Sequence, residues 1–104
     1  MNKFEAVLIF SPEISSQEIT KEHNKFKDYI INSEGNIINQ EDWGLRDLSY
    51  SIKKFKKAFY NFFQIEISGE KLNKIKNDLN QNDNILRHIF IKVKDHQELP
   101  TKLN

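Results

Sequence analysis

A short basic segment holds the residues of this chain whose chemistry is most distinctive. Between Arg46 and Lys57 the sequence has five cations and one anion, whereas the whole chain of 104 residues has a formal net charge of +1. Guanidinium and ammonium groups at this density bind phosphates and release counterions from a polyanion. The five cations are Arg46, Lys53, Lys54, Lys56 and Lys57. The segment therefore predicts a polyanion-binding site, although lysines beside a hairpin also keep a loop solvated and protect a sheet edge.

The residues that precede these lysines have the pattern of a bent strand. Gly44 can adopt a positive φ without a Cβ penalty, which suits a bulge in an extended segment. After Gly44, alternate residues share one face of a strand, so that a cation lies beside apolar and aromatic groups. The residues on this face are Arg46, Leu48, Tyr50 and Ile52. The pattern predicts a strand that presents an arginine and a tyrosine to one surface.

No set of residues in the sequence has the spacing of a catalytic or metal site. The chain contains no cysteine, so disulfides and thiolate metal sites are excluded. His23, His88 and His96 each lack a second ligand three or four residues away, which a metal site on one element would need. The neighbouring Glu41 and Asp42 point to opposite faces of a strand and cannot act on one bond. The sequence predicts no enzyme, no metal site and no cofactor.

Periodicity and capping signals predict the elements that position the basic segment. Ser15 followed by Glu18 marks the start of a first helix and Gly35 its end, while Ser68 marks the start of a second helix. Runs of apolar, aromatic and β-branched residues predict strands. The predicted strands are Phe4 to Phe10, Ile37 to Ile52, Ala58 to Ile67 and Ile85 to Val93, with the turn of the central hairpin at Phe55 to Lys57.

The order strand, helix, strand, strand, helix, strand predicts an α+β fold. It is a ferredoxin-like split βαβ sandwich, with a four-stranded antiparallel sheet and two helices on one face. We expect one domain over residues 1–94 and a flexible tail over residues 95–104, where Pro100 and polar residues occur. The apolar run near the N-terminus contains Glu5 and is too short for a signal peptide or a membrane span.

The face of the sheet opposite the helices would carry Tyr60 and Phe62. Exposed aromatic surface commonly marks an interaction site; alternatively, neighbouring strand side chains or a second copy of the chain cover these rings. The same fold occurs in acylphosphatases and amino-acid-sensing domains, so it does not decide function. The connection from Ser11 to Ile14 lacks the glycine-rich phosphate loop of an acylphosphatase. The third strand lacks two glycines of an RNA recognition motif and has Asn61 at its central aromatic position.

The segment from Gly44 to Lys53 resembles the signature of the bacterial small-subunit ribosomal protein S6 family. It reads Gly-x-Arg-Asp-Leu-Ser-Tyr-x-Ile-Lys and follows Trp43. Phe4-Glu5, the strand entry at Lys57 to Tyr60 and the run from Asn84 to His88 are also similar to family features. The resemblance covers about residues 3 to 94, and the family has the fold that the order of elements predicts.

The resemblance implies a structural role in the small ribosomal subunit, in the cytoplasm. The protein would bind small-subunit ribosomal RNA together with its partner, ribosomal protein S18. Arg46 and Lys54 would contact backbone phosphates, and Trp43 and Tyr50 would shape the signature strand. The expected RNA-binding residues are Arg46, Lys53, Lys54, Lys56, Lys57, Arg87 and Lys3. The expected residues of the signature and of packing against the partner are Trp43, Gly44, Leu48, Tyr50, Tyr60 and Phe62.

Two other classes of function stay open at this point. A protein-interaction module would use the open sheet face, and its positive charge would be incidental. A small-molecule-sensing domain would gain thermal stability from its ligand by mass action.

The low net charge also bears on the strength of RNA binding. Because the net charge is only +1, an RNA-binding protein of this composition should have modest affinity for RNA alone, and a partner protein should increase that affinity.

Overall fold

Four strands and two helices alternate along the chain in the predicted order. The computed structural model describes residues 1–100. The strands are β1 (Asn2–Phe10), β2 (Asn36–Ile52), β3 (Phe55–Ile67) and β4 (Ile85–Val93), and the helices are α1 (Ser16–Asn32) and α2 (Gly69–Asn80). The strands form one antiparallel sheet in the order β2-β3-β1-β4. This arrangement confirms the ferredoxin-like split βαβ fold.

Both helices begin where their capping signals predict. The Ser15 hydroxyl accepts a hydrogen bond of 3.1 Å from the backbone N–H of Glu18, and the Ser68 hydroxyl accepts one of 3.4 Å from that of Lys71. Such caps satisfy backbone donors that have no partner inside the helix. The buried residues recur at helical spacing: Ile19, Phe26 and Ile30 in α1, and Leu72, Ile75 and Leu79 in α2. Neither helix within residues 1–100 is long and apolar enough to span a membrane.

The hydrophobic core lies between the helices and one face of the sheet. Alternate residues of β1 and β3 point toward the helices, as the period of a strand requires. The intervening residues form the opposite side, which we call the open face. Phe26 of α1 and Phe63 of β3 are both about 1% exposed, and their ring centroids are 4.8 Å apart. The strand residues of this core are Phe4, Ala6, Leu8, Phe10, Phe63, Ile65, Ile67 and Ile85.

The end of α1 differs from the prediction at Gly35. The helix ends at Asn32, and the left-handed residue after it is Glu34, with a φ of 63°. The N–H of Gly35 donates a hydrogen bond of 2.8 Å to the carbonyl oxygen of Ile30. A Cβ at position 35 would lie 2.8 Å from the carbonyl oxygen of Glu66. Glycine is therefore required here for the close approach of two backbones and not for a positive φ.

The turn of the β2–β3 hairpin also differs from the prediction. Ile52 pairs with Phe55, so the loop consists of Lys53 and Lys54 alone, and β3 begins at Phe55 instead of Ala58. The φ angles of the two lysines are 49° and 73°. A two-residue hairpin loop with positive φ at both positions normally carries glycine, asparagine or aspartate. Because lysines occupy it, the sequence gives no turn signal at these positions.

Candidate nucleic-acid interface

The strand that leads to the basic hairpin bends at Gly44, as predicted. The register between β2 and β3 shifts between the pairs Asp42↔Asn61 and Gly44↔Tyr60, which leaves one extra residue in β2. Gly44 has a φ of 72°, and its N–H donates a hydrogen bond of 2.8 Å to Oδ1 of Asp42. This bulge sets the direction of the strand that follows it.

The extra residue, Trp43, covers the aromatic side chains of the open face. Its ring stacks on Phe62 with a centroid distance of 5.1 Å and an interplanar angle of 12°, and on Tyr60 at 6.5 Å and 21°. The indole Nε1 donates a hydrogen bond of 3.2 Å to Oε1 of Glu41. Phe62 is only 3% exposed, so a neighbouring strand covers it. Tyr60 is half-buried.

Arg46 lies on the open side of β2, opposite Ala58 of β3. Its Nε donates a hydrogen bond of 3.0 Å to the carbonyl oxygen of Trp43. This bond holds the guanidinium group of Arg46 in place. Arg46 lines a surface hollow together with Lys57 and Tyr60. No carboxylate within residues 1–100 forms an ion pair with Arg46, so its remaining N–H donors are available to a phosphate.

The four hairpin lysines are all exposed. Lys57 Nζ lies 3.8 Å from Oδ1 of Asp47, but both side chains are well solvated, and such surface pairs contribute little. Lys53 and Lys54 form the turn itself, and Lys56 follows in β3. The hairpin therefore brings Arg46 and the four lysines to one end of the sheet, with a single weakly held anion among them.

Arg87 of β4 and Leu48 of β2 also lie near this end of the sheet. Arg87 lies in β4 and lines a hollow that also includes Lys53. Its Nη1 donates a hydrogen bond of 2.7 Å to the hydroxyl of Tyr50. Leu48 is half-buried and lines a neighbouring hollow with Tyr60. Leu48 and Tyr50 of β2 thus meet Arg87, from a distant part of the sequence, on the open face.

Lys3 does not join the basic hairpin. It lies near the start of β1, whose far end at Phe10 pairs with Phe59 on the hairpin side. Seven residues of strand, or about 23 Å, separate Lys3 from Phe10. The Nζ of Lys3 is 3.8 Å from Oδ1 of Asp95. Its expected role in RNA binding would require a second contact region at the opposite end of the sheet.

The carboxylate of Glu5, on the open face, binds the segment after β4. This contact was not predicted from the sequence. Glu5 accepts hydrogen bonds from the backbone N–H and the Nε2 of Gln97, both at 3.0 Å, and from Nε2 of Gln64 at 2.9 Å. Gln64 is 1% exposed and also donates to the carbonyl oxygen of Gln97 at 2.8 Å. The only indication of this contact in the sequence was the presence of Glu5 and Gln64 within two largely apolar strands. Residues 101–104 of the predicted tail lie outside the described residues.

The environment of Glu5 lowers its pKa. Burial alone would raise the pKa, since it disfavours the charged form. The backbone and side-chain hydrogen bonds from Gln97, the amide of Gln64 and the charge of His96 favour the carboxylate, and together they bring the pKa below its ordinary value of 4.5. A carboxyl group whose pKa is lower in the folded state adds stability above its unfolded pKa, and this stability is lost as the pH falls through the folded pKa.

The variant Glu5→Gln should lower the free energy of unfolding at pH 7 by about 1 to 3 kcal/mol, because Gln97 and Gln64 lose a charged acceptor. The difference from the unmodified protein should shrink as the pH falls below 4.5, where the carboxyl group becomes protonated. Urea unfolding at neutral and acidic pH measures both effects. The matched control is Glu34→Gln, which breaks an exposed ion pair of 2.9 Å with Lys71 and should change stability by less than about 1 kcal/mol. A difference for Glu5→Gln that does not vary with pH would contradict this assignment.

The histidines do not form a site with each other. Burial lowers the pKa of His23, and the nearby amide of Asn61 and carboxylate of Asp42 only partly oppose this effect. Burial and the charge of Lys76 lower the pKa of His88. In the part of the chain that the structure describes, no group of three His, Cys, Asp or Glu residues could hold a metal ion.

Known proteins are similar to this chain in both sequence and fold. A family model described as ribosomal protein S6 matches residues 3–92. A small ribosomal subunit protein bS6 from Orientia tsutsugamushi is 40% identical over 95 residues, which cover 91% of this chain and 80% of the relative. A second bS6, from Blochmanniella floridana, is also 40% identical over 95 residues, covering 91% and 78% of the two chains. The crystal structure of 30S ribosomal protein S6 from Thermotoga maritima has the same fold, with a TM-score of 0.84, 24% identity and coverage of 88% and 87%. The chain belongs to the ribosomal protein S6 family.

Proposed function

We propose that this protein binds small-subunit ribosomal RNA through its β2–β3 hairpin and does so together with ribosomal protein S18. Its family is one of ribosomal structural proteins and not of enzymes, and its relatives carry the name of a small ribosomal subunit protein. The protein is accordingly a component of cytoplasmic ribosomes, within a ribonucleoprotein. Its contribution is to bind and position RNA, without a reaction of its own.

One observation supports the RNA contact above the others: the hairpin concentrates the positive charge of a nearly neutral chain. Five cations lie between Arg46 and Lys57 in a protein whose net charge is +1. Arg46 is held by the carbonyl oxygen of Trp43 and not by a carboxylate. Contacts from such groups to phosphates fix position and orientation but carry no sequence information. The protein should therefore recognise the shape of a folded RNA backbone.

The open face also offers an apolar surface for the partner protein. Ile89 and Ile91 of β4 are 41% and 59% exposed, and half-buried Val7 of β1 pairs with Ile89. Exposed apolar side chains at adjacent positions are typical of protein interfaces. We propose that S18 contacts this strip, so that the complex presents more positive charge to RNA than this chain does alone.

Neutralising two hairpin cations should test the RNA contact. In the double variant Arg46→Gln and Lys54→Gln, we expect affinity for a transcript of small-subunit ribosomal RNA, with S18 present, to fall about ten- to a hundredfold. The slope of log K against log salt should decrease by about 1.5, because two phosphate contacts are lost. Filter binding or fluorescence titration over a range of salt concentrations measures both quantities.

The matched control removes two exposed cations from the helices, with Lys21→Gln and Lys74→Gln. It has the same net charge as the hairpin variant and should retain RNA affinity within about twofold. If the two double variants lose affinity equally, net charge decides binding and the hairpin has no specific role. If neither loses affinity, the RNA contact lies elsewhere.

A protein-interaction module without RNA binding is the second candidate, and the exposed Ile89 and Ile91 favour it. RNase treatment distinguishes the two functions. A complex that is held only by protein contacts survives RNase with its affinity unchanged, whereas a ribonucleoprotein complex loses the part of its stability that RNA supplies. Recovery of the protein solely in ribosome-free fractions of a lysate would exclude the ribosomal role.

A further inference from the structure

The contact between Tyr50 and Arg87 joins the two outer strands of the sheet. Tyr50 belongs to β2 and Arg87 to β4, and the strand order β2-β3-β1-β4 places these strands at opposite edges. Three strand spacings, or about 14 Å, separate the edges. The hydrogen bond of 2.7 Å between Arg87 and Tyr50 therefore joins side chains of the two edge strands across the open face.

Near its end, β2 departs from regular pairing with β3. The pairing with β3 jumps from Asp47↔Lys57 to Ile52↔Phe55, so four residues of β2 face a single residue of β3. These four residues, 48 to 51, form an arch over the open face. Leu48 and Tyr50 of the arch line a hollow with Ile9 and Ile89 of the two strands beneath it. The hydrogen bond from Arg87 to Tyr50 connects the arch to β4.

The hydroxyl of Tyr50 engages one N–H of Arg87 and leaves the others free. The guanidinium Cζ also lies 5.5 Å from the centre of the Tyr50 ring, in the range of a cation–π contact. No carboxylate within residues 1–100 forms an ion pair with Arg87. A guanidinium has five N–H donors in a rigid plane, so a group held at one edge can still bind a phosphate at another.

The arch also determines which cations lie near Arg87. Lys53 follows the arch directly, and Lys53 and Arg87 line the same hollow at the end of the sheet. The strand order places β3 and β1 between β2 and β4, and the contact of Tyr50 with Arg87 brings the end of β2 next to β4.

We propose that Tyr50 is a positioning residue that holds the Arg87 guanidinium beside Lys53, so that β4 and the hairpin form one phosphate-binding surface. The inference rests on the proposed function for the identity of the polyanion as RNA. The proposal adds that RNA binding depends on the hydroxyl of Tyr50, although this group has no charge that could attract a phosphate. The ligand atoms are the backbone phosphate oxygens, which Arg87 and Lys53 contact together.

A double-mutant cycle tests this role. The variants are Tyr50→Phe, Arg87→Ala and the two combined, measured with a transcript of small-subunit ribosomal RNA and S18 present. Tyr50→Phe keeps the ring and removes only the acceptor, and it should weaken RNA binding about three- to tenfold. In the Arg87→Ala background the same substitution should change affinity by less than about twofold, because the group that it positions is absent. Tyr29→Phe, in α1, is the matched control and should have no effect.

Thermal unfolding of each variant separates a positioning role from a loss of structure. Tyr50→Phe should leave the melting temperature within about 3 °C of the unmodified protein, since its hydroxyl is exposed and its ring stays in place. The inference is overturned if Tyr50→Phe binds RNA normally, or if it weakens binding equally in both backgrounds, while Arg46→Gln with Lys54→Gln still shows its loss. If that hairpin variant also binds normally, the proposed RNA surface itself is wrong.

Discussion

Replacing Phe63 by alanine should lower the free energy of unfolding by about 3 to 5 kcal/mol. Phe63 lies on β3, is 1% exposed, and its ring contacts Phe26 at 4.8 Å and His23 at 5.8 Å between centroids. The loss combines the transfer free energy of the ring with the cavity that it leaves, because a strand paired on both sides and two helices cannot close around the space. A decrease in melting temperature of more than about 12 °C should accompany it.

Phe59→Ala provides the comparison within the same strand. Phe59 lies on the same face of β3 but is half-buried, beside the edge strand β2, so its removal should lower stability by about 1 to 2 kcal/mol. Urea unfolding with an unchanged m value is the measurement for both variants. Equal losses at the two positions would mean that the core is not centred on Phe63, and a loss below about 1.5 kcal/mol for Phe63→Ala would mean that its surroundings collapse into the space.

Gly35→Ala should lower the free energy of unfolding by about 2 to 3 kcal/mol, although it adds only one methyl group. The added Cβ would lie 2.8 Å from the carbonyl oxygen of Glu66 and 2.9 Å from Cγ2 of Ile30. The first contact is with the backbone of β3, which cannot move without disturbing its pairing with Asn36 of β2. The segment after α1 would have to move away from the sheet, and the N–H bond from Gly35 to Ile30 would weaken.

Gly44→Ala is the control, since it changes another glycine for a different physical reason. A Cβ at position 44 would meet no atom within 4 Å, but the φ of +72° is unfavourable for alanine. We expect a loss of about 1 to 2 kcal/mol from the backbone conformation alone. Denaturant unfolding of both variants distinguishes crowding from conformational strain. A smaller loss for Gly35→Ala than for Gly44→Ala would contradict the close approach that the structure shows at Gly35.

Local signals in the sequence predicted most of the fold. Ser15 and Ser68 are N-caps whose hydroxyls act within three residues, so the sequence carries the complete signal for each helix start. The bend at Gly44 is also local, because glycine tolerates the required φ. The role of Gly35 could not be predicted from local sequence signals. It depends on the carbonyl oxygen of Glu66, and the distance between these two residues is set only when α1 packs on the sheet.

The sequence predicted which candidate residues share a face of β2 but not how they are arranged with the rest of the molecule. The alternation of β2 places Arg46 and Tyr50 on one face, and the structure agrees. Nothing in the sequence indicates that Trp43 covers Phe62, that Tyr50 reaches Arg87, or that Lys3 lies at the other end of the sheet. These facts follow from a bulge, an irregular register and the strand order, which depend on pairing between distant segments.

The loop of Lys53 and Lys54 has a consequence for how this hairpin can vary. Both residues have positive φ, at 49° and 73°, a conformation that asparagine and glycine adopt at lower energy. An Asn-Gly pair would relax the backbone but would delete two of the charges that the RNA is proposed to meet. Conformational ease and electrostatic attraction thus compete at the same two positions. A hairpin tip that selection had optimised for folding alone would not carry lysine twice.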